Sequence, residues 1–218
     1  MQHIIIDLEF TTIPKKFCGT VSNEIIEIGA VRLDDGYKYV DSFSTFVRPQ
    51  FAQNLSFECE NLTGIHPVNL HNAPFFQEGL ALLETWIGTE PFRIYQWSDN
   101  DHTQIVGECA LKGVTSPLCS KHWIDLQRLY CRVAGLERVV SLERALSSLN
   151  ILFEGSVHRA SDDALNTASV LQVIKNKEEC AKRFNKIRAL LKPRSCSCTL
   201  GDLLGEKMQI LYDELSLE

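Results

Sequence analysis

The sequence predicts an α/β fold: a mixed five-stranded sheet that begins as an antiparallel meander, is flanked by helices, and carries a helical appendage at its C-terminal end. Three observations carry this expectation. Ile4-Ile5-Ile6 opens the chain with consecutive β-branched residues, the mark of a strand buried on both faces. Residues 25–33 (IIEIGAVRL) and 39–47 (YVDSFSTFV) read as two more strands joined by Asp34-Asp35-Gly36, a strong hairpin signal. Beyond residue 74, helix-like and strand-like patterns alternate, as they do when helices cover a sheet.

The first strand holds the densest chemistry. Successive side chains of a strand face opposite ways, so Asp7 and Glu9 share one face while Ile4, Ile6, Leu8 and Phe10 share the other. Two carboxylates side by side at the end of a buried strand repel and lose solvation, at a cost of several kcal/mol if both stay charged and unpaired. A divalent cation removes that cost, and oxygen-only ligands favour Mg²⁺ or Mn²⁺. A surface Asp beside a strand-end Glu that reaches solvent explains the same residues. This stretch alone leaves both open.

Residues 13–23 form a loop containing Pro14, Gly19 and two lysines. In the second strand Glu27 sits among apolar residues and reads as a strand-face or ion-pair residue rather than a catalyst. Pro49 ends the meander, and Ser56 caps a short helix running toward Leu62. In Leu62-Thr63-Gly64-Ile65 the glycine permits a tight bend. The segment is either a helix end packed on the core or an apolar wedge against a flat ligand such as a nucleobase. Phe76, Leu80, Leu83 and Trp86 recur at helical spacing over residues 74–86, and residues 93–97 form a short strand. Ser98-Asp99-Asn100-Asp101 then opens a helical stretch at 102–112, and a cap accounts for only one of those polar residues. Residues 124–130 pass from strand into helix, and Ser141 caps a helix through Leu149. His158 precedes a helix over 164–175, with Asp162 as the cap-type residue and Asp163 aimed at the sheet.

Residues 1–177 form one domain on this reading, and 178–218 a helical extension. The extension comprises a basic amphipathic helix over 178–191 ended by Pro193, a linker, and a last helix opened by the Thr199/Asp202 capping box. Its helices would pack on the domain, on a second copy of the chain, or on a partner protein. Residues 175–194 carry eight basic and two acidic side chains, so this stretch holds +6 of a chain whose net charge is −6. It reads as a solvated helical face or as a phosphate contact.

With 44% hydrophobic and 23% charged residues the composition is that of a soluble protein, and no apolar run approaches the ~20 residues that span a bilayer. Asp7 and Glu9 interrupt any N-terminal signal pattern, so a cytoplasmic location without membrane attachment is expected. Cys18, Cys59, Cys109, Cys119, Cys131 and Cys180 are scattered singly and read as free thiols or small buried residues. Cys196 and Cys198 are close, but with no second pair or nearby His they are weak grounds for zinc.

Asp7-Leu8-Glu9-Phe10-Thr11 and His158-Arg159-Ala160-Ser161-Asp162-Asp163-Ala164, taken with Trp97-Ser98-Asp99-Asn100-Asp101, resemble the three motifs of DEDDh 3′–5′ exonucleases of the ribonuclease H-like fold. Leu62-Thr63-Gly64-Ile65 resembles a segment with which that family wedges the terminal base. The middle motif looks like that of the branch that trims structured RNA ends, although Ser98 stands where that branch has Gly and Asp99 competes with Asp101. The resemblance covers residues 2–176. It implies Asp7, Glu9, Asp101 and Asp163 as ligands of two Mg²⁺ or Mn²⁺ ions, with Asp7 touching both, and His158 as general base. It further implies that Phe10, Leu62, Ile65 and Trp97 line the pocket of the last nucleotide, and that Thr11 offers a hydroxyl or amide to its sugar. The expected activity is hydrolysis of single-stranded RNA, or of DNA, from the 3′ end to 5′-mononucleotides. The competing expectation is a catalytically silent module that keeps the fold to bind nucleic acid or protein.

Overall fold

A five-stranded sheet in the order β3-β2-β1-β4-β5 organises the molecule. The computed structural model describes residues 1–183 apart from Thr20, Gln53 and Lys177. Strands β1 (Gln2–Thr12), β2 (Asn23–Leu33) and β3 (Tyr39–Phe46) form the expected antiparallel meander. Strands β4 (Phe92–Gln96) and β5 (Trp123–Asp125) then add parallel to β1 on its other side. The chain therefore leaves β1 for β2 on one flank and pairs β1 with β4 on the other. A crevice opens at the carboxyl ends of the strands where sheet order switches in this way.

The alternation in β1 sorts two cores. Ile4, Ile6 and Leu8 pack with α3 (Phe76–Ile87) and α4 (Asn100–Lys112), while Ile5 packs with α5 (Leu126–Ala134), α6 (Leu142–Ser148) and α7 (Ala160–Lys175). Asp7 and Glu9 continue the Ile5 face toward the start of α7. Between β3 and α3 lie α1 (Phe57–Thr63), which ends at Gly64 in the left-handed conformation, and the short α2 (Pro67–Leu70). Ser56 caps α1 by accepting from the Cys59 amide at 3.1 Å, as its sequence requires.

Buried charge pins α4 in place. Lys112 on α4 pairs with Glu24 and Glu108, each at 2.7 Å, with all three side chains nearly sealed from solvent. Glu24 also accepts from the amides of Gln50, Phe51 and Ala52, so this network ties the loop after β3, the start of β2 and α4 together.

Three boundaries differ from expectation. Helix α4 starts at Asn100, so Asp101 lies within its first turn, because Gln96 at the end of β4 accepts from the His102 amide at 2.9 Å and caps it. Helix α7 starts at Ala160, four residues early, with Arg159 rather than Asp162 at the cap position. Asp162 instead holds the preceding loop, accepting from the Ser156 amide at 2.8 Å. Residues 178–183 are helical, and Cys180 is buried in the α5–α6–α7 core, so the packed body continues past residue 177. The rest of the expected extension, including its last helix, Cys196 and Cys198, lies outside the described residues. No helix among the described residues is long and apolar enough to cross a membrane.

Candidate active site

The switch-point crevice is a cleft of about 540 Å³, and Asp7, Glu9, Asp101, His158 and Asp163 all line it. They arrive from three parts of the chain. Asp7 and Glu9 come from β1, where a register shift between Glu9 and Phe10 interrupts the pairing with β2 and re-aims the strand end. Asp101 comes from the first turn of α4. Asp163 comes from the first turn of α7, and His158 from the loop just before it.

Two devices set the start of α7 against the sheet. Glu27 on β2 is opposite Glu9 in the strand register and is fully buried. Its carboxylate accepts from the Arg159 guanidinium at 2.8 and 3.1 Å and from the Ala160 amide at 3.1 Å. The ion-pair reading of Glu27 is what the structure shows. The second device is Gly29, whose missing side chain leaves room for the backbone of Ala160 and Ser161.

His158 has a left-handed backbone (φ 63°), a conformation that costs a non-glycine residue stability and is held here by its surroundings. Its amide donates to Asp163 Oδ2 at 2.8 Å, which ties the two residues to one another. Ser98 also has a positive φ, of 81°, so the serine departure in the middle motif falls on a position whose backbone geometry favours glycine.

Burial, and then crowding, raises the pKa values of the four carboxyls. Burial, then the Asp101, Asp163 and Glu9 charges, push the Asp7 carboxyl well above the ordinary carboxylate range. Burial and the charges of Asp163, Glu27 and Asp101 push Glu9 up to about 8. Burial raises Asp101 as well, against the opposing pull of the Leu8 amide. Asp163 rises to about 6, chiefly by burial, with the His158 amide working against the rise. Among the described residues neither the Asp7 nor the Glu9 carboxylate has a hydrogen-bond or salt-bridge partner. Four crowded carboxylates, two of them unpartnered, line the cleft, and ligand atoms of Glu9, Asp163 and His158 lie within 4.8 Å of one another, an oxygen-rich set that fits a divalent cation.

The remaining expected residues divide. Phe10, Leu62 and Trp97 line the cleft, with Leu62 55% exposed at its rim. Ile65 does not: it is buried with Ile26 and Leu70 in a small separate core, because the turn at Gly64 swings it inward. Thr11 is likewise buried, off the cleft wall. Asp99 lies outside the cleft lining and pairs with Arg128 at 3.1 Å on the surface, so of the two aspartates it is Asp101 that the fold brings to the cleft. Gln127, Ser141 and Glu143 form a cleft wall that sequence reading did not find. They belong to α5 and α6 and carry no spacing that links them to the motifs. Gly29 did leave a signal, since a glycine inside an apolar strand marks close backbone approach.

A model of the Exonuclease family (RNase_T) matches residues 4–171. ERI1 exoribonuclease 2 of Danio rerio is 32% identical over 191 residues, covering 78% of this chain and 34% of that protein. The 3′–5′ exonuclease Snipper of Drosophila melanogaster is 27% identical over 169 residues, covering 68% of this chain and 59% of its own. This chain thus spans only part of the length of these curated relatives. Among solved structures, the nuclease domain of 3′hExo, a DEDDh family member bound to rAMP, is similar with a TM-score of 0.67 and 26% identity, covering 78% of this chain and 90% of that one.

Proposed function

The chain belongs to the exonuclease family, and from that premise we propose that it is a metal-dependent 3′–5′ exonuclease acting on single-stranded nucleic acid, RNA in preference to DNA. The observation that carries this reading is the meeting of Asp7, Glu9, Asp101, Asp163 and His158 in one cleft from three separate parts of the chain. A protein that only bound a partner through this fold would gain nothing physically from unpaired, crowded carboxylates. The ribonucleotide preference draws on the exoribonuclease relative and on the rAMP held by the 3′hExo domain.

In the mechanism we propose, Asp7, Glu9, Asp101 and Asp163 hold two Mg²⁺ or Mn²⁺ ions. When bound, such ions supply Lewis-acid activation of the attacking water and stabilisation of the leaving 3′-oxygen. His158 accepts the proton of that water at its free ring nitrogen, a task for which imidazole has the right basicity. The Asp163 carboxylate, through the His158 amide, keeps that imidazole over the phosphate. Phe10, Leu62 and Trp97 offer apolar surface to the terminal base and sugar, and a base is recognised there by its face, which suits a trimming activity that meets every sequence. The product is a 5′-mononucleotide and a strand shorter by one.

The test is a time course on matched 5′-labelled single- and double-stranded RNA and DNA with Mg²⁺, Mn²⁺ or EDTA. A ladder shortening from the 3′ end, dependent on the ion and strongest on single-stranded RNA, is expected. No shortening of any substrate with either ion overturns the catalytic reading in favour of a silent binding module.

A further inference from the structure

On the far side of α1 from the cleft lies a second hollow, of about 330 Å³. The chain after β3 supplies Arg48, Gln50 and Asn54 to its wall, and Pro67, Leu70 and His71 come from α2 and its end. We propose that this groove is a second nucleotide subsite, which holds a nucleotide of the single strand upstream of the one in the cleft.

The lining suits a polyanion that carries flat rings. Among the described residues no carboxylate lines the groove, although the chain has a net charge of −6. Arg48 supplies a cation, and Gln50, Asn54 and His71 supply side chains that donate or accept hydrogen bonds. Pro49, Leu55, Pro67 and Leu70 supply apolar surface. That division fits a nucleotide, with the guanidinium for its phosphate and the apolar faces for its base and sugar. The volume is at the small end for ligand pockets and suits one nucleotide rather than a folded partner.

Arg48 is positioned and uncommitted. Its amide donates to the Pro74 carbonyl at 2.8 Å, and its backbone bridges to Phe75. The guanidinium lies over the Phe75 ring, 5.4 Å from the centroid, which limits the directions it can take. Among the described residues its side chain has no hydrogen-bond or ion-pair partner. Arg32, Arg128 and Arg159, by contrast, each pair with a carboxylate. A guanidinium stacked on a ring keeps its planar fork of N–H donors for a phosphate.

The strand as occupant rests on the proposed function and on continuity with the cleft. One small core of Ile26, Ile65 and Leu70, with Leu55 and Cys59 against it, separates the two hollows. Cys59 faces the cleft, and Leu55 and Leu70 face the groove. A strand leaving the cleft therefore crosses about one helix diameter, ~10 Å, and the groove takes a nucleotide further upstream. Exposed apolar side chains on the two helices offer faces for bases along the way: Leu62 is 55% exposed, and Phe57 and Val68 are each 78% exposed. The α1 carboxylates Glu58 and Glu60 line neither hollow, and Glu60 is bonded to His66 at 2.8 Å.

Fluorescence anisotropy of the full chain with 5′-labelled single-stranded RNA, with Ca²⁺ replacing Mg²⁺ and Mn²⁺, tests the subsite in wild type, Arg48→Gln and Arg48→Lys. A strand of about twelve nucleotides spans α1 and reaches the groove, whereas one of about two does not. Arg48→Gln should bind the longer strand about tenfold more weakly, as expected for a lost charge-assisted contact, and the shorter one, measured by competition, within twofold of wild type. The slope of log affinity against log salt for the longer strand should flatten by about 0.7 in Arg48→Gln, the share of one phosphate on a single strand. Arg48→Lys keeps the charge and should keep the wild-type slope. Circular dichroism checks the fold of both variants. Equal weakening at both lengths overturns the subsite, because Arg48 then acts on the cleft through α1. Unchanged affinity and slope in Arg48→Gln also overturn it and leave the groove to a protein or a small molecule. Length-dependent loss in a protein that shortens no strand with Mg²⁺ or Mn²⁺ upholds the subsite and sinks the catalytic reading instead. Shortening by a wild type whose affinity does not depend on strand length overturns the subsite alone.

Discussion

Gly29 and Ala160 are in such close approach that a methyl group on Gly29 would fall 2.1 Å from the Ala160 carbonyl carbon. Gly29 lies opposite Asp7 in the pairing of β1 with β2, and Ala160 opens the helix that carries Asp163. The distance between the acidic groups of two motifs is therefore set by the absence of one side chain. Gly29→Ala should push α7 off the sheet. The expected cost is about 1–3 kcal/mol in urea unfolding, as for other overpacked sites. Activity at a temperature where the variant remains folded should drop roughly a hundredfold, since displacement of about 1 Å at a reacting centre has that effect. Unfolding and activity curves that overlay wild type would show that the approach does not matter.

Glu27 and Arg159 make the same junction electrostatically. Removing the cation leaves a buried carboxylate beside Glu9 with its charge uncompensated. Arg159→Met should destabilise the fold by about 3 kcal/mol, the lower end for a broken buried pair because the Arg159 side chain is 33% exposed. The double variant Glu27→Gln/Arg159→Met should recover most of that loss. Equal losses in the single and double variants, measured by denaturant titration, would contradict the assignment.

A polar cluster at the far end of β1 makes stability depend on pH. His3 is buried, stacks on Tyr37 at 4.1 Å and meets the Tyr95 hydroxyl at 3.1 Å through Nδ1. Burial first, then the Lys175 and Arg93 charges, lower its pKa from 6.5 to about 4. The folded chain thus refuses a proton that the unfolded chain accepts. The stability contributed by neutral His3 is complete above pH 6.5 and is lost progressively as pH falls to about 4, a total on the order of 3 kcal/mol. The raised cleft carboxyls act in the opposite direction, so the comparison must be differential. His3→Gln should lose less stability than wild type between pH 7 and 4.5, by about 2 kcal/mol or more. Parallel pH curves for the two proteins would show that His3 does not titrate in this way.

The meander, the flanking helices and the acidic strand were legible because each rests on a local pattern: β-branched runs, Asp-Asp-Gly, and polar caps before apolar periodicity. The motifs named residues that the fold brings into one cleft, but they did not show that Asp101 rather than Asp99 would be there. That choice depends on where α4 begins, and the beginning is set by Gln96, a residue on a different element. Ile65 was misplaced because a motif records which residues are near a turn and not which way the turn sends them. Asp162 was misassigned as a cap because two adjacent aspartates at a helix start look alike until the loop they hold is known. The Gln127–Ser141–Glu143 wall depends entirely on how α5 and α6 pack, which no short-range pattern encodes.

The rate of 3′-end shortening by Asp101→Asn and Asp99→Asn, measured side by side with Mn²⁺ on one 5′-labelled RNA, tests the central claim most directly. The two residues are separated by a single position in sequence, yet one is sealed in the cleft at 4% exposure and the other pairs with Arg128 on the surface. Asp101→Asn should lose at least a thousandfold in rate, equivalent to about 4 kcal/mol of transition-state stabilisation, and Asp99→Asn should keep the wild-type rate. Full activity in Asp101→Asn, or its loss in Asp99→Asn alone, would contradict it.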